Sequence, residues 1–125
     1  MQTVGYIDKE KYRVVSDNIR TNEVVITDER VAHIKAHHPN DYERFEGYFQ
    51  SIVESPDYIL EANKPNTAFL LKAIEDNSER FQLILRLVVE EDNPAYKNSI
   101  ITFLKVSARK WNKYLRNKKI LYKSE

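Results

Sequence analysis

The pattern of apolar and polar positions changes twice along the chain. Residues 1–26 contain short apolar pieces of β type, "TVGYI", "YRVV" and "EVVIT", with "SDN" and "RTN" as turn-forming segments. Residues 27–55 follow a 3.6-residue period, and residues 57–106 follow a period of two. This order predicts N-terminal β pieces, then two helices, then a run of antiparallel strands.

The two predicted helices have recognisable ends. Thr27 is an N-cap candidate for the first helix, because acids occupy the next two positions, and Pro39 ends it. Asn40 is the cap candidate for the second helix, which "SP" at residues 55 and 56 ends. The apolar positions of this second helix are Tyr42, Phe45, Phe49, Ile52 and Val53.

Four strands are predicted in residues 57–106, within "DYILEA", "NTAFLLKAI", "RFQLILRLVVE" and "SIITFLKV". The third alternates most clearly, since Phe81, Leu83, Leu85, Leu87 and Val89 share one face. These elements predict one α+β domain, in which two N-terminal helices pack on a four-stranded antiparallel sheet, with short extra N-terminal strands. The helices should cover one sheet face and leave the other for a ligand.

Composition removes several classes of protein. The 125 residues include no cysteine, which excludes disulfide scaffolds, cysteine-ligated zinc and a cysteine nucleophile. Two glycines make a glycine-rich phosphate loop improbable. The N-terminus lacks a signal-peptide pattern, and no apolar run approaches the roughly 20 residues of a membrane span. We therefore expect a cytoplasmic protein without a membrane partner.

Positive charge is concentrated at the C-terminus. Residues 105–124 carry eight Lys or Arg and no acid, whereas residues 1–104 carry 12 basic and 18 acidic residues and a net charge of −6. The segment from residue 107 on reads as a helix or structured basic loop followed by a short strand, "KILYK". Cations interleaved with aromatics suit RNA, and the candidates here are Lys110, Trp111, Lys119 and Tyr122. The alternative is a solvated helix whose aromatic side chains dock it on the core.

All three histidines lie within six consecutive positions of the first predicted helix. At 100° per residue, His38 falls on the apolar stripe and reads as a packed residue. A neighbouring stripe on the edge of that apolar face is formed by Arg30, His33 and His37. Catalytic groups often occupy such a rim, and so do ordinary polar residues.

A zinc site is a weak interpretation of this cluster. His33 and His37 have the spacing of HExxH, but the sequence reads "HIKAH", so the catalytic glutamate is missing. The chain has no other imidazole or thiol, apart from the inward-facing His38, to complete the ligand set. We therefore predict neither a metal nor a cofactor.

Acid–base chemistry on a phosphodiester fits the cluster better. Histidine can take or give a proton near neutral pH, since its ordinary pKa is about 6.5. Arginine and lysine can hold the phosphate, and Arg30, Lys72 and Arg86 are the candidates. Lys72 and Arg86 interrupt apolar strands, which predicts that both lie on the open sheet face. Ser99 and Thr102 fall on opposite faces of their strand, so one alone should reach the site unless a bulge intervenes.

The order of these segments resembles a nuclease family. The segments are "ITDERVAHIKAHHPNDYERFEGYFQSIVESPDYILE", "PNTAFLLKAI", "FQLILRLVV", "YKNSIITFLKV" and "KKILYK". They are similar to the phage branch of the barnase–EndoU–colicin–RelE-like nucleases, over about residues 3 to 123. The motifs that carry the resemblance are R-x-x-H-I-x-x-x-H-P and S-I-I-T.

The resemblance implies a barnase/RelE-like nuclease fold and metal-independent RNA cleavage. It maps the first motif onto Arg30, His33 and His38, and the second onto residues 99–102. The motif thus selects His38, whereas the helical spacing selects His37 as the partner of His33. Both remain candidates at this point, and the predicted catalytic set is Arg30, His33, His37, His38 and Thr102.

The sequence therefore predicts an endoribonuclease-like domain of phage or prophage origin that cleaves RNA by 2′-hydroxyl transesterification. The expected partners are RNA, such as tRNA or mRNA, and an inhibitor or antitoxin protein that protects the host. The predicted RNA-binding and phosphate-binding residues are Lys72, Arg86, Ser99, Lys110, Trp111, Lys119 and Tyr122. The alternative is a non-catalytic RNA-binding or protein-interaction domain on the same fold.

Overall fold

A computed structural model describes residues 1–75 and 78–125. Within these residues the chain forms seven strands and four α-helices. The strands are β1 (Gln2–Tyr6), β2 (Glu23–Ile26), β3 (Tyr58–Glu61), β4 (Thr67–Ile74), β5 (Glu79–Arg86), β6 (Asn98–Lys105) and β7 (Ile120–Lys123). The helices are α1 (Asp28–His37), α2 (Asp41–Phe45), α3 (Phe49–Glu54) and α4 (Ala108–Asn117).

All seven strands belong to one mixed sheet, with the order β1-β2-β6-β5-β4-β3-β7. The predicted antiparallel meander is confirmed, because each neighbouring pair from β3 to β6 is antiparallel. The predicted count of four strands is wrong. The N-terminal strands join the sheet through a parallel pair between β2 and β6, and β7 pairs with β3 at the other edge.

Two local predictions in the N-terminal half are also wrong. "YRVV" is not a strand, since residues Lys11–Val14 form a 3-10 turn around the fully buried Tyr12. The Tyr12 hydroxyl donates to the Val53 carbonyl over 2.6 Å, and burial raises the pKa of this phenol. The second predicted helix is interrupted by a 3-10 turn at Glu46–Tyr48, and Asn40, with φ of 70°, makes no side-chain cap.

Helices α1, α2 and α3 cover one face of the sheet, as predicted. Helix α1 begins at the predicted cap, where the Thr27 hydroxyl accepts from the Arg30 backbone N–H over 3.2 Å. Its buried residue, Ile34, joins a core that contains many aromatic rings. The rings of Phe81 and Phe103 in this core lie 5.3 Å apart.

Helix α4 covers part of the opposite face. The Ser107 hydroxyl caps it by accepting from the Lys110 backbone N–H over 3.1 Å. Its buried Trp111 packs in a second core with Leu60, Phe69 and Leu71. The face expected to be open is therefore open only beyond α4, over β5, β6 and β2. The remaining open area is where a ligand can reach the sheet.

Candidate functional site

A hollow of about 500 Å³ lies on the open sheet face beside α4. We call it the cationic hollow. Its apolar floor includes Phe69, Ile84 and Ile101. Four positively charged side chains from four separate parts of the fold line it: Arg30 of α1, Lys64 of the β3–β4 loop, Arg86 of β5 and Lys118 after α4.

The cations of this hollow have no acidic residue beside them in its described lining, and the carboxylate that pairs with Arg86, that of Asp92, lies outside it. No carboxylate in the described part of the chain lines the hollow. Lys118 Nζ lies 4.7 Å from the centre of the Phe69 ring, over the hollow's floor. The Arg30 guanidinium makes no hydrogen bond or ion pair within residues 1–75 and 78–125. Such an arrangement favours an anionic ligand.

Arg86 divides the cationic hollow from a second one. This second hollow, of about 360 Å³, has walls of Val25, Leu87, Val88 and Ala95, and we call it the apolar hollow. Arg86 lines both, and its guanidinium is held by its neighbours. It donates to the Leu87 carbonyl oxygen, and its Nη2 lies 3.5 Å from Asp92 Oδ2. The two hollows are thus parts of one surface.

The loop between β5 and β6 forms the outer wall of the apolar hollow and is fastened by Arg20. Its guanidinium donates to the carbonyl oxygens of Asp92 and Asn93, each over 2.8 Å. It also donates to the Tyr96 carbonyl oxygen over 2.6 Å. These bonds hold the backbone of the loop while the Tyr96 side chain stays 62% exposed.

The predicted ladder on α1 forms, but only its first member lines a hollow. Arg30 is half-buried, and His33 and His37 are exposed one and two turns further on. The two imidazole rings stack with centroids 4.1 Å apart. His37 Nδ1 donates to the His33 carbonyl oxygen over 3.0 Å, which leaves Nε2 of a neutral ring as a free acceptor.

The contacts of α1 show that the histidines share a flank with Arg30. Lys35, on the opposite flank, points towards α2, where its Nζ lies 3.8 Å from Glu43 Oε1. His33 and His37 are spaced three and seven residues from Arg30, so they project on its side of the helix. His38 differs from both, because it is the half-buried C-cap residue with a non-helical backbone.

A bulge in β6 brings two hydroxyl groups to the open face. Ser99 pairs with Arg86, and Thr102 pairs with Ile84, with a register shift between them. Arg86 and Ile84 are two residues apart and share a face, so their partners share it as well. Ser99 lines the apolar hollow. Thr102 is half-buried on the same face without lining either hollow.

Lys72 does not belong to this site, so its predicted position is wrong. It pairs with Phe81, whose side chain points into the core under α1–α3. Lys72 Nζ donates to the Ser55 carbonyl oxygen over 2.7 Å and lies 3.5 Å from Asp57 Oδ1. The Lys72 ammonium therefore makes structural contacts on the opposite face of the sheet.

The predicted C-terminal stacking residues mostly serve the core. Trp111 is 9% exposed and makes an edge contact with Tyr58, with ring centres 6.0 Å apart, so it is not available for stacking on a base. Tyr122 is half-buried beneath Lys11 Nζ. Lys110 and Lys119 are exposed but lie outside both hollows. The docking interpretation of the aromatics is therefore confirmed, while the lysines stay on the surface.

Several residues of the site were not predicted. Lys64 and Lys118 contribute half of the cations of the cationic hollow. Asp92 and Tyr96 belong to the apolar hollow, although their segment read only as a turn. The many lysines after residue 105 indicated a cationic surface there, but their spacing alone did not show that Lys118, rather than a neighbouring lysine, would line the hollow.

The Glu23 carboxylate of β2 contacts both Thr3 of β1 and Lys97 at the edge of the apolar hollow. The Thr3 hydroxyl donates to Glu23 Oε2 over 2.7 Å, and Lys97 Nζ lies 3.0 Å from Glu23 Oε1. The hydrogen bond from Thr3, and then that from Lys97, hold the pKa of Glu23 below its usual value. The folded state thus favours the charged form of this carboxyl.

We expect Glu23→Gln to reduce the acid sensitivity of folding. Because the pKa is lowered in the folded state, the stabilisation is present above the unfolded pKa, about 4.3, and is lost as pH falls through the lower folded value. Urea unfolding at pH 7 and at pH 3 measures the change. The difference between the two pH values should be smaller in the variant, and an equal difference would contradict the assignment.

The described residues lack two further features. No group of three or more His, Cys, Asp or Glu side chains is arranged to hold a metal ion among them. None of the helices in the same residues has the length and apolar character that crossing a membrane requires.

Comparison with known proteins gives one match. The family model described as phage-Barnase-EndoU-ColicinE5/D-RelE like nuclease2 matches residues 1–123. No curated protein and no solved structure matched the chain. The match spans every element of the fold, including the strands that carry Arg86 and the helix that carries Arg30. The chain therefore belongs to the phage-Barnase-EndoU-ColicinE5/D-RelE like nuclease2 family.

Proposed function

We propose that the chain is a metal-independent endoribonuclease, in which a ribose 2′-hydroxyl attacks the adjacent phosphate. The cationic hollow carries this proposal, because four cations from separate elements converge there without an acidic residue among the described lining. Membership of a nuclease family supports the same chemistry. A divalent metal would find no carboxylate ligand among the lining residues described, whereas a phosphate would find four cations.

The phosphate lies between Arg30 and Arg86 in this proposal. Both residues line the hollow and come from different elements, and in this proposal each guanidinium binds an oxygen of the phosphate. Charge on those oxygens grows as the 2′-oxygen bonds to phosphorus. Donors held in place before the reaction stabilise that charge without reorganising. The hydroxyl groups of Ser99 and Thr102 lie on the same face and orient the phosphate.

The two stacked imidazoles carry the proton transfers. His37 Nε2 takes the proton of the 2′-hydroxyl as the bond from O2′ to phosphorus forms. The bond from phosphorus to O5′ breaks, and the imidazolium form of His33 gives its proton to that oxygen. The products are a 2′,3′-cyclic phosphate and a 5′-hydroxyl. Both residues are exposed on the flank of α1 that carries Arg30, and in this proposal the phosphodiester extends from the hollow along that flank.

The exposed surface of α4 guides RNA to this site. Arg109, Lys110, Lys113 and Arg116 are exposed along the helix, and Lys118 continues the row into the cationic hollow. Such a surface binds the phosphate backbone without reading sequence, so binding weakens as salt rises. A tRNA or mRNA is the RNA class we propose, in the cytoplasm, with an inhibitor protein protecting the host.

We expect His37→Ala and His33→Ala each to lower RNA cleavage by about 100- to 10,000-fold, the range for one general acid or base. The matched control is Lys35→Ala, which removes a cation from the opposite flank of the same helix. Cleavage is measured on mixed RNA in the presence of a chelator, and the product ends are analysed for cyclic phosphate. The control should cleave as the wild type does.

Three other results of this cleavage experiment would contradict all or part of the proposal. Loss of cleavage in the chelator supports a metal hydrolase and contradicts our proposal. Salt-sensitive RNA binding without cleavage supports a non-catalytic RNA-binding domain, which the exposed basic surface of α4 would serve by itself. Equal cleavage by wild type and both histidine variants leaves the phosphate site in place but removes the imidazoles from the mechanism.

A further inference from the structure

Apart from Arg86 and Ser99, the residues that line the apolar hollow have no part in the chemistry proposed above. We infer that the apolar hollow binds the base of the nucleotide whose phosphate Arg86 contacts, with the Tyr96 ring stacked on that base. This inference rests on the proposed function for the position of the phosphate. It adds a base-binding subsite, and hence a source of sequence preference, to a site described so far only by its charge.

The first support is the continuity of the two hollows. Arg86 lines both, so a phosphate that its guanidinium holds lies next to the entrance of the apolar hollow. A nucleoside attached to that phosphate reaches the apolar hollow without leaving the surface. The volume of about 360 Å³ falls within the range of about 300–1,000 Å³ that is usual for small-molecule sites. Aliphatic walls on one side suit the flat face of a base.

The second support is the state of Tyr96. Tyrosine side chains are on average only partly buried, and Tyr96 is 62% exposed on the wall of the hollow. Its backbone is nevertheless fixed, because the Tyr96 N–H donates to the Asn93 carbonyl over 2.9 Å and its own carbonyl accepts from Arg20. An exposed ring on an anchored backbone is a stacking platform that loses little freedom when a base binds.

The third support is the polar edge of the hollow. Asp92 Oδ2 accepts from the Val89 N–H over 2.9 Å and faces Arg86, whereas Oδ1 accepts no hydrogen bond within residues 1–75 and 78–125. The Ser99 hydroxyl is likewise unpaired in that part of the chain. A carboxylate oxygen accepts from an exocyclic amino group, which adenine, cytosine and guanine carry and uracil lacks. We therefore expect uracil, which offers this oxygen only a ring N–H, to be the least favoured base.

The test uses five small probes, namely the 5′-monophosphates of adenosine, cytidine, guanosine and uridine, and ribose 5-phosphate. All five carry the same phosphate, and the last has no base. Titration calorimetry with the wild type should show the amino-bearing nucleotides binding about 5- to 150-fold more tightly than ribose 5-phosphate, as one stacked base allows. Uridine monophosphate should fall between them.

Variants of Tyr96 test whether the tighter binding of the nucleotides depends on its ring. Tyr96→Ala should remove most of the advantage of the nucleotides over ribose 5-phosphate, while Tyr96→Phe should keep it because the ring remains. Tyr6→Ala is the matched control, since Tyr6 is 57% exposed and lies outside both hollows. Thermal unfolding of each variant checks that the fold is intact.

The inference is overturned if the nucleotides and ribose 5-phosphate bind equally to the wild type, or if Tyr96→Ala weakens all five probes by the same factor. Absence of binding by every probe also overturns it. If RNA is not cleaved but the nucleotides keep a Tyr96-dependent advantage, the ribonuclease proposal fails and the base site stands. The readout is binding, so the two failures are distinct.

Discussion

Arg86→Ala should lower RNA cleavage by about 100- to 1,000-fold, the usual cost of removing one donor from an oxyanion site. Arg86 is the side chain that lines both hollows, so it contacts the phosphate from the side nearest the bound nucleoside. Its carbonyl contact at Leu87 and its ion pair with Asp92 hold the guanidinium before the substrate arrives. Steady-state cleavage of a defined oligonucleotide measures the loss.

The distribution of that loss between kcat and KM is informative. If the guanidinium mainly stabilises the charge that grows on the phosphate, the loss falls on kcat. Arg86→Lys should recover only part of the rate, because an ammonium keeps the charge but lacks the planar fork that binds two oxygens. A variant that changes KM alone would assign Arg86 to substrate binding and leave the transition state to Arg30.

The control for this prediction removes the same side chain elsewhere. Arg109→Ala deletes an exposed guanidinium from α4, outside both hollows, and should change binding slightly while leaving kcat unchanged. Equal losses in Arg86→Ala and Arg109→Ala would mean that total positive charge, rather than a phosphate site, governs cleavage. Urea unfolding of Arg86→Ala checks that the variant remains folded.

The position of Arg86 could be predicted because β5 alternates cleanly. Its core face carries Phe81, Leu83 and Leu85, all fully buried. Only one orientation of the strand places all three of these apolar side chains in the core. Arg86 lies on the other face of β5, so its side chain must point away from α1–α3. The histidine ladder was predictable for the same reason, since one buried residue, Ile34, sets the phase of α1.

The position of Lys72 could not be predicted because β4 is apolar on both faces. Leu70 packs under α1–α3, while Phe69 and Leu71 pack under α4, and all three are buried. A strand covered on both sides has no polar face to mark its orientation. The pairing of Lys72 with Phe81, which fixes the face, depends on register and not on local sequence.

Two other features of the site, the packing of α4 over part of the sheet and the bulge in β6, also depend on contacts between segments that are distant in sequence. Trp111 among eight cationic residues of the C-terminal segment was compatible with RNA binding and with packing on the core, and in the structure it packs in the core with Leu60 and Leu71. The bulge between Ser99 and Thr102 is a property of the pair β5–β6, because it appears only when one strand is laid against the other. Non-local pairing therefore limits what the sequence predicts about this site.

Asn98→Ala should lower the free energy of unfolding by at least about 3 kcal/mol, because it leaves three backbone groups without partners at about 1–3 kcal/mol each. Asn98 is fully buried at the start of β6. Its Oδ1 accepts from the Val88 N–H over 2.8 Å, and its Nδ2 donates to the carbonyl oxygens of Thr21 and Glu23 over 2.7 and 3.0 Å. One amide thus joins three chain segments.

The matched control is Asn18→Ala, which removes an exposed amide that bonds the Glu91 carboxylate over 2.8 Å and should cost under about 1 kcal/mol. Urea unfolding measures both variants, and a loss below about 1 kcal/mol in Asn98→Ala would contradict the account. Asn98→Asp keeps the acceptor for Val88 but turns an oxygen towards two carbonyls, so it should be destabilising as well. Because the amide ties β2 to the segment under the apolar hollow, any Asn98 variant that still folds should also bind nucleotides more weakly than the wild type.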